Sequence, residues 1–260
     1  MPNGSNAMSG SPASPTVPPT APPAWTARDT ESVSCCVCGA DGVSVYRLPP
    51  FGVVRCPVCE LVFVSPRLTS SALQRIWTAG RLAEIARLRP PPARLLEIGS
   101  GYGLFLAAAR DAGFAVRGVE LSRTGVEQTR RRLGVDVFAG QLAEAPIGEA
   151  DVVCFWDTLE HVPDPLAFLR EVRGRLAHDG VFALSVPYIS SCPGRLLGTS
   201  WWTLKPEQHL WQLTPTTLRL VAARAGLVIS RMVVSPIRRA NAGRIDSLVA
   251  FGRAIPDGRS

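Results

Sequence analysis

The feature that most constrains the fold is a strand-like run followed at once by three glycines at alternate positions. Residues 95–98 are apolar apart from Glu97, and Gly99, Gly101 and Gly103 come directly after them. A stretch rich in leucine and alanine follows, and it favours a helix. Because glycine permits positive φ and lets a ligand approach the backbone, this succession predicts the nucleotide-binding edge of an open α/β sheet.

The acid in this pattern indicates the chemistry of the ligand. Glu97 stands two residues before the first glycine, where a carboxylate would repel the pyrophosphate of a dinucleotide. The cationic amino-acid end of S-adenosylmethionine (SAM), which carries no phosphate, suits that position. The next strand-like run ends near Glu120, and an acid there can accept both ribose hydroxyls of an adenosine. The sequence therefore predicts a SAM site formed by Glu97, the three glycines and Glu120.

Strand-like and helix-like runs alternate from residue 93 onwards, which predicts a doubly wound, mainly parallel α/β sheet. The last two runs, 227–234 and 247–254, have no helix between them. They predict a final antiparallel hairpin on the parallel sheet. Such a hairpin argues against the dinucleotide-binding fold of a dehydrogenase.

A second motif follows the fourth predicted strand of this domain. Residues 151–156 form a strand-like run, and residues 157–165 continue as Asp-Thr-Leu-Glu-His-Val-Pro-Asp-Pro. With the glycine motif, this stretch resembles class I SAM-dependent methyltransferases, in particular the subset that includes ubiquinone-type, natural-product and glycan-associated enzymes. The resemblance covers residues 35–255. It implies a seven-stranded, Rossmann-like sheet and transfer of a methyl group to a small-molecule acceptor, with a hydroxyl oxygen as the expected target.

Three interpretations of His161 stay open. The imidazole can fix the strand-to-helix turn by hydrogen-bonding the backbone, or it can act as the general base, since it takes a proton near neutral pH. In the third, the resemblance implies a divalent ion such as Mg²⁺ at Asp157, Glu160 and His161, with His209 completing the set. Ubiquinone-type and small-RNA methyltransferases carry Glu-x-x-Glu-His here, whereas the first acid of this chain is Asp. The candidate catalytic residues are His161, His209 and Glu160.

Further site residues are predicted, each with an alternative. Gln141 can accept the adenine amino group through its carbonyl oxygen, or it can be an ordinary exposed loop residue. Trp156 can line the adenine or acceptor pocket, or it can belong to the core. The long segment 188–211 is expected to cap the site. Its tryptophans are divided between an acceptor pocket and packing onto the body: Trp201, Trp202 and Trp211.

Four cysteines near the N-terminus predict a structural zinc site. They form two Cys-x-x-Cys pairs separated by two strand-like runs and a turn: Cys35, Cys38, Cys56 and Cys59. Four thiolates close a tetrahedral Zn²⁺ site with no open position, and they supply folding energy that so short a segment lacks. Redox-active or idle cysteines are the alternative. A zinc ribbon here is structural or binds a protein partner, and it is not catalytic.

The chain divides into four predicted parts. Residues 1–30, rich in Pro, Ser, Ala and Thr, are expected to be a disordered tail. Residues 31–68 form the zinc ribbon, 69–92 a helical connector and 93–260 the SAM-binding domain. No long apolar run or signal peptide is read from the sequence, so we expect no membrane span and a cytoplasmic location.

The positive charge of the chain and the predicted ribbon raise two alternative functions. The formal net charge is +7, and residues 219–260 contain eight arginines and two acids. A basic surface can bind nucleic acid, but these arginines are dispersed among strand-like residues, so we do not expect a nucleic-acid partner. The rivals are an RNA methyltransferase that holds RNA with its ribbon and arginines, and a non-catalytic SAM-fold module that recruits a partner through the ribbon.

Overall fold

The computed structural model describes residues 25–234 and 247–256. Most of the predicted tail, residues 1–24, lies outside that part of the chain. The remainder of the predicted tail is folded, because Ala27–Asp29 form a 3-10 turn and the first strand begins at Thr30. Within the described ranges, no helix combines the length and the apolar character needed to cross a bilayer.

The strands of the N-terminal part are short. They are β1 (Thr30–Glu31), β2 (Val43–Leu48), β3 (Phe51–Arg55), β4 (Val62–Val64) and β5 (Arg67–Leu68). Strands β2, β3 and β4 form an antiparallel sheet, and β1 pairs with β5. The first Cys-x-x-Cys pair precedes β2 and the second lies between β3 and β4, so that β2 and β3 separate the two pairs, as the ribbon interpretation requires.

A long helix and an α/β domain follow. The strands of the domain are β6 (Arg94–Ile98), β7 (Ala115–Glu120), β8 (Val137–Ala139), β9 (Ala150–Trp156), β10 (Leu176–Pro187), β11 (Leu227–Val234) and β12 (Ser247–Ala254). The helices are α1 (Ser70–Leu88), α2 (Leu104–Asp111), α3 (Arg123–Leu133), α4 (Pro165–Arg175), α5 (Cys192–Leu197) and α6 (Pro215–Arg224).

The strand order of the large sheet confirms the predicted fold class. It runs β11-β12-β10-β9-β6-β7-β8. Strand β12 is antiparallel to both of its neighbours, and the pairs among β6 to β10 are parallel. The sheet is thus doubly wound, seven-stranded and mainly parallel, with the expected antiparallel pair at one edge.

Both faces of this sheet are covered, as its parallel strands require. Successive strand residues point to opposite faces, so Leu96 and Val153 pack with α4 and α6, whereas Leu95 and Val152 pack with α1, α2 and α3. The carboxyl ends of β6, β7 and β9 meet at one edge of the sheet. The predicted cofactor residues lie at that edge.

Candidate functional site

The glycine loop after β6 takes the backbone conformation that glycine favours. The φ angles are +72° at Gly99, +54° at Gly101 and +69° at Gly103. A Cβ at Gly99 would lie 2.6 Å from Oγ1 of Thr158, and one at Gly103 would collide with Thr129, whereas one at Gly101 would meet nothing within 4 Å. The outer glycines therefore serve packing within the protein. The middle one leaves open space beside the backbone, where a ligand can approach.

Glu97 is a buried acid at the end of β6. Its side chain is 3% exposed, and among the described residues its Oε2 has no hydrogen-bond partner. Burial raises the pKa of Glu97 well above its usual range, and the nearby carboxylate of Glu120 raises it further. A buried acid without a complete set of partners is costly. A cationic ligand group beside it would provide the missing partner.

Glu120, the last residue of β7, is fixed against the glycine loop. Its Oε2 accepts the backbone N–H of Gly101 at 2.7 Å, and its Oε1 accepts that of Ser122 at 2.8 Å. Since each carboxylate oxygen has two lone pairs, both oxygens retain a lone pair for further donors. The carboxylate can therefore accept further donors, which is what the predicted ribose contact requires.

Trp156 ends β9 and is 7% exposed. Its ring meets that of Phe105 edge to face at 5.1 Å, and the guanidinium of Arg81 lies 4.9 Å from the Trp156 ring centroid. Arg81 is a residue that the sequence analysis missed. It brings a cation from α1 to the carboxyl end of β9, on the same face as Glu97, and its only signal in the sequence was its place on the helix before the glycine motif.

Gln141 lies in the loop after β8, beside the end of β7. The preceding residue, Gly140, donates its N–H to the backbone oxygen of Glu120 at 3.1 Å. Gln141 itself is exposed and begins a short 3-10 turn, in which its N–H donates to Oε2 of Glu144 at 3.2 Å. The structure thus places Gln141 at the edge that carries the cofactor residues.

Glu160, His161 and His209 come together after β9. One ligand atom from each lies within 4.8 Å of the other two, and His161 Nε2 is 4.0 Å from Glu160 Oε1. The two imidazole rings meet edge to face at 4.8 Å. Glu160 and His209 are buried, whereas His161 is exposed. The three candidate catalytic residues therefore share one site, although 48 positions of sequence separate His161 and His209.

Backbone carbonyls orient both imidazoles. Nδ1 of His161 lies 2.9 Å from the oxygen of Gln208, and Nδ1 of His209 lies 2.7 Å from that of Thr203. A carbonyl only accepts, so in the neutral imidazole Nδ1 carries the proton and Nε2 keeps a lone pair. Each Nε2 can then accept a proton or bind a metal, and the Nδ1 contact of His161 also fastens the capping segment to the turn after β9.

Asp157, which the sequence analysis placed in a Mg²⁺ site, does not belong to this group. Its Oδ1 accepts the hydroxyl of Ser185 on β10 at 3.0 Å. Spacing along the chain suggested that Asp157 and Glu160 lie side by side, but the backbone turns sharply at Asp157, where φ is +48°. The group thus comprises the other three members of the predicted set, Glu160, His161 and His209.

The tryptophans of the capping segment differ in exposure. Trp201 is 2% exposed and packs inside, whereas Trp202 and Trp211 are 54% and 42% exposed. Trp211 is nevertheless tied to the site, because its Nε1 donates to the oxygen of Val162 at 2.8 Å. The segment is thus attached beside Glu160 and His161, with aromatic surface left for another molecule.

The four ribbon cysteines converge as well. Their sulfurs lie within 4.8 Å of one another, with 3.3 Å between Cys35 and Cys59 and between Cys38 and Cys56. Sulfurs about 2.3 Å from a tetrahedral Zn²⁺ stand about 3.8 Å apart, so the cluster fits one ion. The backbone N–H of Cys59, and less strongly that of Val58, stabilises the Cys56 thiolate and lowers the pKa of Cys56 to about 6. Cys36 is exposed and outside the group.

Comparison with known proteins gives a family match over most of the chain. A family model described as "Methyltransferase domain" matches residues 71–231. A ubiquinone biosynthesis O-methyltransferase of Xanthomonas axonopodis pv. citri is 32% identical over 112 residues, which cover 38% of this chain and 45% of that protein. One of Paramagnetospirillum magneticum is 38% identical over 96 residues, 34% and 38% of the two chains. The matches thus span less than half the length of these curated relatives.

Solved structures share the fold at lower identity. A magnesium protoporphyrin IX methyltransferase from Synechocystis PCC 6803, solved with bound SAH, has a TM-score of 0.56 and 18% identity, over 70% of this chain and 83% of that one. The CcbJ methyltransferase of Streptomyces caelestis has a TM-score of 0.55 and 19% identity, over 70% and 90%. At such identities the likeness concerns the fold alone.

Proposed function

This chain belongs to the methyltransferase-domain family, and we propose that it transfers the methyl group of SAM to a hydroxyl oxygen of a small-molecule acceptor. One observation carries the proposal: a buried acid and an open glycine loop adjoin a carboxylate–bis-imidazole group at one edge of the sheet. The ubiquinone biosynthesis O-methyltransferases among its relatives favour oxygen as the acceptor atom.

The residues of the glycine edge fit SAM. Glu97 would pair with the ammonium group, the open space at Gly101 would admit the ligand, and Glu120 would accept the ribose hydroxyls. Arg81 would supply a cation for the carboxylate of the methionine end, Trp156 beside it would line the acceptor pocket, and Gln141, beyond the end of β8, would border the adenine. SAM, when bound, supplies an activated methyl group. Catalysis then needs an acceptor held in line and relieved of its proton.

His161 is the proposed base. Its Nδ1 is occupied by the oxygen of Gln208, so Nε2 is the nitrogen that takes the acceptor proton. Glu160, 4.0 Å from Nε2, stabilises the imidazolium that results. His209 stands beside His161 and orients the acceptor. The exposed tryptophans of the capping segment, Trp202 and Trp211, offer apolar surface to the rest of the acceptor.

A metal-assisted variant of this mechanism is the second candidate, favoured by the convergence of Glu160, His161 and His209. Two imidazoles and one carboxylate suit Zn²⁺, Mn²⁺ or Fe²⁺ better than Mg²⁺, which prefers oxygen ligands. We therefore propose these three residues, without Asp157, as the ligands of any such ion. A bound cation would lower the pKa of the acceptor hydroxyl in place of a base.

The test measures SAM binding by calorimetry and SAH release with a panel of mono- and dihydroxylated aromatic acids. His161→Ala is expected to lower kcat by about 10²–10⁴-fold and to leave SAM affinity nearly unchanged. His178→Ala is the matched control, because the side chain of His178 is 96% exposed. If a metal does the activation, EDTA abolishes turnover, Mn²⁺ or Zn²⁺ restores it, and Glu160→Ala is as damaging as His161→Ala.

Circular dichroism during the EDTA experiment separates loss of a site metal from unfolding of the ribbon. Normal turnover by His161→Ala and His209→Ala would refute both mechanisms and leave the histidines as clamps of the capping segment. Wild-type protein that binds NADH and not SAM would refute the proposal itself. Salt-sensitive RNA binding with methylation of RNA would favour the RNA rival. SAM binding without turnover on any acceptor would favour the non-catalytic one.

A further inference from the structure

The turn that follows β9 holds an aspartate in an unusual conformation. Asp157 has a φ of +48°, and among the described residues only one other non-glycine residue, Glu60, has a positive φ. This left-handed region costs most residues roughly 1–2 kcal/mol, and Asp and Asn tolerate it best. Such a conformation persists only where its surroundings hold it, and it is often found at functional sites.

Ser185 holds the turn. The N–H of Asp157 donates to the backbone oxygen of Ser185 at 2.9 Å and approaches its Oγ at 3.2 Å. In return, the Ser185 hydroxyl donates to Oδ1 of Asp157 at 3.0 Å. Ser185 is fully buried on β10 and is the register partner of Trp156, the last residue of β9. Backbone and side chain of Asp157 are therefore both fastened to the neighbouring strand.

The fastened turn joins the two halves of the site. On one side, Thr158 contacts the glycine loop at Gly99, and its Oγ1 lies 3.4 Å from the backbone oxygen of Ile98. On the other side, the backbone oxygen of Glu160 accepts the N–H groups of Leu210 and Trp211 from the capping segment at 2.8 and 3.3 Å. The segment that begins at Asp157 thus connects the glycine loop with Glu160 and His161.

We propose that Asp157 and Ser185 form a positioning pair that sets the place of Glu160 and His161 relative to the cofactor loop. Asp157 is then neither a metal ligand nor a base. This inference rests on the proposed function for its meaning in catalysis. The chemistry explains why the residue is Asp: it tolerates the left-handed region, and its short side chain presents an acceptor to a hydroxyl one strand away.

The variants separate positioning from charge. Asp157→Asn keeps the tolerance for positive φ and the oxygen acceptor but removes the charge, so it is expected to behave like wild type. Asp157→Ala loses both properties, and Ser185→Ala loses the hydroxyl. Ser230→Ala is the matched control, because it also removes a serine hydroxyl bond, to the oxygen of Phe251, from the same sheet but away from the site.

Histidine NMR gives a readout that requires neither an acceptor nor a metal. The chain has three histidines, and His178 is exposed enough to serve as an internal reference. Ser185→Ala and Asp157→Ala are expected to shift the imidazole ¹⁵N signals of His161 and to lower kcat by on the order of 10-fold or more. Asp157→Asn and Ser230→Ala are expected to leave both unchanged, and melting temperatures identify any variant that fails to fold.

Two results would overturn the inference. If Asp157→Asn is as damaging as Asp157→Ala, the charge of Asp157 matters, as it would for a ligand. If Ser185→Ala leaves the His161 signals like those of Ser230→Ala, the pair does not position the site. A wild-type protein that neither binds SAM nor releases SAH contradicts the proposed function instead. The His161 signals of the variants still test whether Asp157 and Ser185 position the site.

Discussion

Gly99, Gly101 and Gly103 share a positive φ, yet they differ in their surroundings. Only Gly101 has open space where a side chain would project. A side chain there would occupy the ligand's space without touching the protein, whereas one at Gly99 would press on Thr158. The middle glycine is therefore the position at which cofactor binding can be separated from folding.

Gly101→Ala is predicted to weaken SAM binding by an order of magnitude or more and to lower stability by only about 1 kcal/mol, the cost of the left-handed backbone. Gly134→Ala is the matched control, because Gly134 has a φ of +61° and open space around it but lies at the end of α3. Calorimetry and thermal melting of both variants make the comparison. Equal SAM affinity in the two variants would contradict the assigned role of Gly101.

Glu97 makes the stability of the SAM-free protein depend on pH. The pKa of Glu97 is raised in the folded state. The contribution of protonated Glu97 to the stability of the fold is therefore fully present below the unfolded-state pKa, near 4.3, and is lost as the pH rises toward the folded-state pKa. Glu97→Gln cannot ionise and does not suffer that loss. Its melting temperature without SAM is predicted to exceed that of wild type by a margin that grows from pH 4 to pH 8.

Glu97 is also predicted to release a proton when SAM binds. A cationic ligand group favours ionised Glu97, so calorimetry in buffers of different ionisation enthalpy should show a proton leaving wild type and none leaving Glu97→Gln. Glu127→Gln, which removes an exposed acid on α3, is the control for a loss of charge. A melting-temperature difference that does not change with pH would mean that Glu97 ionises normally in the folded protein.

At the scale of elements, the sequence predicted best where local signals are clear. One of the helix-like runs after residue 93 is α3. It begins after Ser122, whose hydroxyl accepts the N–H of Gly125, and it ends before Gly134 in the left-handed region. The final antiparallel pair was equally readable, because no helical run separates its strands. Helix-capping residues and the periodicity of apolar residues are local signals that extend over only a few positions. They can therefore be recognised in a single sequence.

Contacts between distant elements could not be read in the same way. Asp157 looked like a metal ligand because spacing in the motif does not reveal a left-handed turn fastened by Ser185 on another strand. Arg81 was missed because its approach to Trp156 depends on how α1 crosses the sheet. His209 was predicted as a site residue from the resemblance and its place on the capping segment, whereas its distance from Glu160 required the fold.

At the scale of the whole molecule, the ribbon and the large sheet are formed by different strands. The ribbon strands β2, β3 and β4 pair only with one another, and the large sheet uses none of them. All the proposed SAM-binding residues lie on the α/β part or on α1. The ribbon has few buried apolar residues of its own, so its fold depends on the four thiolates and the ion that they are proposed to hold.

Removal of that ion is therefore predicted to unfold the ribbon and to leave SAM binding intact. The purified chain should contain about one zinc, and Cys56→Ser should lose it together with the β-signal of the ribbon in circular dichroism. Cys36→Ser is the matched control and should keep its zinc, because Cys36 lies outside the cysteine group. Calorimetry with SAM is the decisive measurement, since turnover would also respond to a metal at Glu160. If SAM binding disappears together with the zinc, the ribbon and the sheet fold as one unit, and a fully folded chain without metal would refute the zinc site.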